Sequence, residues 1–176
     1  MDGFKNKKVN YKNLILIIIL AGFPFFGTSQ TNIEDAIKRY NSNSVEYIDV
    51  EDLDQLIKVN PNIKLLDTRQ PSEYSISHIQ NAVYAGYDNF KLKTIQDQLQ
   101  KKDTIVVYCS IGVRSEQIGE KLQKAGYKNV FNLYGGIFDW VNKGLKVYNQ
   151  KGETTDKVHA YDRFWGRYLK KGQKVY

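Results

Sequence analysis

The stretch that most limits how this chain can fold is Thr104 to Gly126, where a strand pattern runs into a helix pattern across a loop that opens with the only cysteine. Ile105 to Tyr108 carries no charge and is β-branched and aromatic, the composition of a buried strand. From Ser115 the apolar positions shift to Ile118, Leu122 and Ala125, one face of a helix, and Gly126 is placed as its C-terminal stop. Cys109 begins the loop between them and Arg114 ends it.

That placement has chemical consequences. A helix N-terminus leaves backbone N–H groups unpaired and carries partial positive charge. Ser110 to Ser115 contains no proline, so every peptide of the loop keeps its donor. If Ser110, Ile111, Gly112, Val113, Arg114 and Ser115 curl around the Cys109 sulfur, they form an anion cradle. Such a setting lowers a thiol pKa from roughly 8.5 into the range of about 3.5–7.5. Cys109 is therefore a candidate nucleophile, against the common fate of a free cysteine as an inert buried residue.

The rest of the chain repeats the strand-then-helix order. A short helix is expected over Ile33–Tyr40, a strand at Tyr47–Ile48, and a helix capped by Asp49 and stopped before Asn60-Pro61. Ile63–Leu66 reads as a strand ending in Asp67-Thr-Arg69, followed by a helical turn begun by Pro71. Val83–Tyr84 is a short strand, Phe90–Leu99 a helix, and Val130–Tyr134 a strand before Gly135-Gly136 and a helix bearing Trp140, expected in the core. This order predicts an α/β domain whose mainly parallel central sheet is flanked by helices on both faces. Sites in such sheets lie at the carboxyl ends of strands, where Asp67 and Cys109 both fall. Gly135 and Gly136 allow close backbone approach beside the cysteine loop.

The N-terminus reads as a leader. Lys5, Lys7, Lys8 and Lys12 precede an apolar run of 13 residues, Leu14 to Phe26, and Gly27-Thr28-Ser29 supplies small residues. A membrane span requires about 20 apolar residues, so the expectation is a secretory signal peptide over 1–29, cleaved near Ser29/Gln30. A retained short membrane anchor is the alternative. Removal takes away four lysines and one aspartate, so the formal charge falls from +7 to +4. No dense basic cluster remains, which argues against a nucleic-acid partner. An exported chain with one cysteine makes no internal disulfide, leaving a reactive thiol or an intermolecular one. Two histidines and one cysteine far apart give no recognisable metal-ligand spacing, and no cofactor is implied.

The remaining segments are a polar lead-in over 30–44, the domain proper over 45–147 and an extension over 148–176. In the extension Val158, Tyr161, Trp165, Tyr168 and Leu169 share one helical face, opposite Arg163, Arg167 and Lys170. The expectation is an amphipathic helix packed back on the domain; a docking surface or a lid beside the site is the alternative.

Three stretches together resemble the rhodanese (sulfurtransferase) family over roughly residues 45–147. The loop Cys109-Ser-Ile-Gly-Val-Arg114 is similar to the family's active-site loop, one residue shorter than the Cys-x5-Arg loop of dual-specificity phosphatases. Asp67, Arg69, Glu73, Tyr74, His78, Ile79 and Ala82 match the first signature, with Ser77 for its usual glycine and Gln80-Asn81 for its usual Pro-Gly. The strand, Gly135-Gly136 and Trp140 resemble the closing signature. The resemblance implies a Cys109 persulfide taken from a small donor such as thiosulfate and passed to cyanide, a small thiol or a protein thiol. Asp67, Arg69, Glu73 and His78 are then supporting residues, with His78 structural rather than a base. A non-enzymatic sulfur carrier or partner-binding module is the second reading. A phosphatase or arsenate reductase is the third, disfavoured by loop length and by Glu116, which is expected on the solvent side of its helix.

Overall fold

The computed structural model describes residues 32–60 and 62–176. The expected leader, its cleavage point near Ser29/Gln30 and the helix-stopping Pro61 lie outside the described residues. Helix α1 (Ile33–Tyr40) opens the described chain, its first turn capped by the Asn32 side chain, which accepts from the Glu34 N–H at 3.1 Å. Strand β1 (Glu46–Ile48) leads into α2 (Val50–Val59). Asp49 sits at the N-cap of α2, as its residue type predicts, but its side chain makes no capping hydrogen bond.

Strand β2 (Lys64–Asp67) follows, then α3 (Pro71–Ile76) and β3 (Val83–Tyr84). The helix expected over Phe90–Leu99 is instead two 3-10 turns, Leu92–Thr94 and Gln96–Gln98. Ile95 and Leu99 are buried, so the apolar spacing was spent on anchoring a connection. Strand β4 (Thr104–Tyr108), α4 (Val113–Lys124), β5 (Asn129–Leu133) and α5 (Gly136–Asn142) complete the central layers. Helix α4 stops as its sequence requires: Gly126 takes φ +89, and Gly126 and Tyr127 donate back to the Gln123 and Leu122 carbonyls.

The five strands form one sheet in the order β1-β5-β4-β2-β3, and every pairing within it is parallel. Side chains of a strand alternate between faces, and the two apolar clusters divide accordingly. Ile105 and Val107 join Ile118 and Leu122 of α4 on one face. Val106 and Tyr108 join Leu53 of α2 and Ile137, Phe138 and Trp140 of α5 on the other. Helices therefore cover both faces, and β4 lies in the interior of the sheet with its carboxyl end at the cysteine.

After β6 (Val147–Tyr148) and β7 (Thr154–Thr155), an antiparallel pair, the extension departs from the expected helix. It forms β8 (Lys157–His159) paired in parallel with β9 (Gln173–Val175), joined by residues 160–172 with a 3-10 turn at Trp165–Tyr168. Val158, Ala160 and Leu169 are completely buried in the cluster that holds α5. The extension is thus a strap on the domain. Its apolar spacing, which mimics a helical stripe, serves a strand at Val158, the bend at Tyr161 and the 3-10 turn that ends before Leu169. Among the described residues no helix is long and apolar enough to cross a membrane.

Candidate active site

The central strand carries Cys109 to the end of the sheet, where it is 1% exposed and unpaired. The chain reverses through Gly112, whose φ of +106 belongs to the region that favours glycine. The reversal aims the Gly112 N–H at the Cys109 sulfur, 3.2 Å away. The Gly112 carbonyl points outward and is held by two amides, Asn41 Nδ2 at 2.9 Å and Asn132 Nδ2 at 2.8 Å. Because Asn132 donates there, its Oδ1 is free to accept from the Ser115 hydroxyl at 2.7 Å.

Burial alone pushes the Cys109 thiol pKa up, yet the net direction is down. The Arg114 charge, the Ser115 N–H and the Gly112 N–H outweigh the burial. The Ser115 hydroxyl has a single proton, which the geometry gives to Asn132. Its contribution to the thiolate is therefore small beside those of the amides.

Arg114 does not face the pocket as a free cation. Its Nη1 donates to Glu73 Oε2 at 2.7 Å, and its Nη2 to Glu73 Oε1 at 2.8 Å and Ser110 Oγ at 2.9 Å. Ser110 in turn donates to Glu73 Oε1 at 3.1 Å. Glu73 is almost wholly buried; burial would raise its pKa, but Arg114 holds it below the usual carboxylate value. The expectation of Arg114 as an anion ligand is thus modified: it fixes the loop to α3 and acts on the sulfur through its charge.

Asp67 and Arg69 form a second pair beneath the site, with both side chains fully buried. Arg69 Nε and Nη2 grip the two carboxylate oxygens at 3.0 and 2.6 Å, and Nη2 also reaches the Ser77 carbonyl at 2.5 Å. Ser77 has φ −165, ordinary extended backbone, so the family's glycine is not required there. Asn81 takes φ +61, a conformation asparagine tolerates, in place of the family's Pro-Gly turn. His78 is turned to the far edge, stacked on Tyr74 at 4.1 Å with Nδ1 against the Tyr74 carbonyl. It does not line the cysteine pocket.

Gly136 lies directly behind the loop. A Cβ there would stand 2.4 Å from the Cys109 carbonyl oxygen and 2.7 Å from that of Ser110. The close approach lets Ile137 N–H bind the Cys109 carbonyl at 2.9 Å and Phe138 N–H the Ser110 carbonyl at 3.0 Å. Gly135, at φ +71, makes the turn that delivers them.

Above the sulfur is a pocket of about 240 Å³. Its floor is Cys109, Ser110, Ile111, Val113 and Arg114, and its walls are Tyr87, Tyr161 and Trp165. Tyr161 and Trp165 place the strap beside the site, the arrangement weighed as the alternative for this extension. Tyr87 had no signal in the sequence, since it is one tyrosine in a polar connection. Glu116 corrects its expected solvent position: it is 4% exposed and accepts from the Ser42 and Ser44 N–H groups at 3.0 and 2.9 Å, tying the lead-in to α4. Among the described residues no group of His, Cys, Asp and Glu is gathered to hold a metal ion.

The parallel sheet thus presents one buried thiol, its pKa lowered, at the carboxyl end of its central strand in a loop whose Gly112 N–H faces the sulfur, the architecture of an α/β domain with a cysteine site. A family model of the rhodanese-like domain matches residues 49–143, and this chain belongs to that family. A rhodanese-related protein of Thermoplasma volcanium is 28% identical in a solved structure, with a TM-score of 0.50 over 58% of this chain and 96% of that one. A tRNA uridine(34) hydroxylase of Prochlorococcus marinus is 30% identical over 159 residues, 82% of this chain and 51% of that protein. A protein of the same name from Photorhabdus laumondii is 33% identical over 106 residues, 58% of this chain and 30% of that protein. The chain thus spans about half or less of the length of these curated relatives.

Proposed function

We propose that the chain is a sulfurtransferase that carries a sulfane sulfur on Cys109. The observation that supports this best is the acidified Cys109 thiol, with the Gly112 N–H on its sulfur, at the floor of an open pocket. The Cys109 thiolate attacks the outer sulfur of a donor such as thiosulfate. A sulfur–sulfur bond forms at Cys109, the donor's own sulfur–sulfur bond breaks, and sulfite leaves with the electron pair. The loop amides stabilise the persulfide anion. The chain has no second cysteine, so an outside acceptor (cyanide, a small thiol or a protein thiol) attacks the outer sulfur and restores the thiolate. Phosphoryl chemistry finds less support, because Arg114 is committed to Glu73 and Ser110 and the loop holds no carboxylic acid.

The test is incubation with thiosulfate, read by intact mass for one added sulfur on Cys109 and by thiocyanate formation with cyanide. Cys109→Ser should give neither. Turnover distinguishes an enzyme from a carrier that loads and stops. Hydrolysis of aryl phosphates, lost in Cys109→Ser and unaccompanied by sulfur transfer, would overturn the assignment.

A second reading takes its support from the relatives named tRNA uridine(34) hydroxylase: the domain serves the modification of a tRNA. The two readings separate by place. The lysine-rich start and short apolar run support a chain exported beyond the cytoplasm, away from tRNA. N-terminal sequencing of native material that begins near Gln30 favours export. A native start that retains Lys5 to Leu20, in a cytoplasmic fraction that binds tRNA with steep salt dependence, favours the RNA reading.

A further inference from the structure

Of the two histidines, His78 is turned to the far edge, while His159 stands at the end of β8 in the strap. His159 is partly buried, and its Nδ1 accepts from the Tyr161 N–H at 3.1 Å. A ring nitrogen accepts only when it carries no proton, so this bond assigns the neutral imidazole with its proton on Nε2. The bond spans two residues, the turn that an asparagine or aspartate side chain makes with its own backbone. Within that turn Tyr161 keeps φ at +65, a conformation uncommon for a bulky residue. Such a conformation persists only where the surroundings impose it, and the His159 bond holds the Tyr161 amide itself.

What the turn holds is a wall of the site. The Tyr161 ring lies 4.9 Å from the Arg114 guanidinium and lines the pocket above Cys109. Tyr161 is about half exposed, so little apolar packing keeps the ring there once the turn opens. The surroundings of the His159 ring oppose a proton. Burial pushes its pKa down; Glu73 of α3 acts the other way, while Arg69 before α3 and Arg114 of α4 add to the downward push. The Glu73 oxygens are already taken by Arg114, Ser110 and the Gln70 N–H. On β9 the register partner of His159 is the uncharged Val175, between Lys174 and Tyr176.

We propose that His159 is a positioning residue that makes access to Cys109 depend on pH: its neutral ring holds Tyr161 over Arg114, and a proton on Nδ1 breaks the tie and frees Tyr161 to swing off the pocket. The proposal rests on the sulfur-transfer reading only for Cys109 as the working group. Its test reads the thiol itself, so either can fail alone. The direction follows from linkage. The tied turn favours the unprotonated ring, so it binds fewer protons than the open turn. Closure is therefore favoured above the ordinary imidazole value and is lost as pH falls through the lower, folded one.

The experiment measures alkylation of Cys109 in the full chain by N-phenylmaleimide and by the smaller N-methylmaleimide at pH 8 and pH 5. Both reagents attack the same thiolate, so ionisation of Cys109 cancels in the ratio of their rates, and what remains is room above the sulfur. In wild type the ratio of large to small reagent should rise several-fold from pH 8 to pH 5. His159→Asn places an Oδ1 where Nδ1 stood and does not titrate, so its ratio should stay at the wild-type pH 8 value at both pH values. His159→Ala has no acceptor, and its ratio should be high already at pH 8 and flat. A flat ratio in wild type overturns the proposal. An equal rise in His159→Asn also overturns it, since His78 is still present in that variant and would be the group responsible. Should His159→Ala not fold, wild type against His159→Asn decides the matter by itself.

Discussion

At the residue scale the chemistry turns on how two charges near one sulfur are shared. Cys109 is buried, which opposes ionisation, and the Arg114 charge with the loop amides reverses that. Alkylation of Cys109 should therefore rise with pH through a midpoint below that of an ordinary free thiol. Arg114→Ala should move that midpoint up, because burial then acts with less opposition. Arg114→Lys should recover only part, since a point charge cannot replace a planar fork on Glu73. An unshifted midpoint in Arg114→Ala would mean that the amides alone hold the thiolate. Glu73 gives a complementary prediction. Its folded pKa is lowered, so it contributes stability that is fully present above its unfolded value of about 4.5 and is lost as pH falls through the folded value. Glu73→Gln leaves the Arg114 charge, whose side chain is only 15% exposed, without its counter-ion and should cost about 3 kcal/mol near neutral pH, with a smaller difference from wild type at pH 3, as read by urea midpoints. An equal difference at both pH values would remove the ion pair from the account. Cys109 and the ends of its loop were legible because the signal is local, a cysteine between a strand run and a helix stripe. The Glu73 pair was not, since it joins residues 41 positions apart and no local pattern reports it.

At the scale of elements, the strands and α4 were readable because each carries its own period. β4 is charge-free with both faces buried, and α4 ends on a glycine at positive φ. Two elements misled. Phe90–Leu99 has apolar residues at helical intervals, yet 3-10 turns bury Ile95 and Leu99 equally well. The strap places Val158 and Leu169 at intervals a helix would also use, but β8 depends on β9, a partner after residues 160–172 that local periodicity cannot reveal. The Gly135-Gly136 turn was legible as a point of close approach, and the structure supplies the reason. Gly136→Ala puts a methyl group on two backbone carbonyls and asks alanine to hold φ +56. Backbone cannot give as a flexible side chain does, so the cost should be at least about 2 kcal/mol. Urea denaturation should show the loss, and sulfur loading of the surviving folded protein should slow because the Cys109 loop is pushed forward. Wild-type stability and loading in this variant would show that α5 can retreat from the loop.

For the whole molecule, the question is whether the strap is part of the cooperative core or a cover that opens over it. Both descriptions have a structural basis. Val158, Ala160 and Leu169 are sealed into the main cluster, while Tyr161 and Phe164 remain about half exposed at its outer edge. The two parts meet at Asn142, the last residue of α5. Its Nδ2 donates to the Tyr168 carbonyl at 2.9 Å, and its Oδ1 accepts from the Lys170 and Lys171 N–H groups at 2.6 and 3.2 Å. One side chain thus terminates three backbone groups of the strap. Asn142→Ala removes all three bonds without touching the apolar anchors, and should cost about 1–3 kcal/mol, since each is worth roughly 0.5–1.5 net and the freed groups gain some water. Local opening should become cheaper than global unfolding, because Val158 stays sealed in the core while the strap loses its ties on both sides of Leu169, at Tyr168 and at Lys170 and Lys171. The thiol under that segment is 1% exposed, so its alkylation reports the opening directly. Alkylation of Cys109 by iodoacetamide under native conditions should be several-fold faster in Asn142→Ala than in wild type, at equal pH and with an unchanged thiol midpoint. A stability loss with no change in alkylation rate would mean that reagents reach the sulfur by a route the strap does not cover, past Tyr87 and Val113.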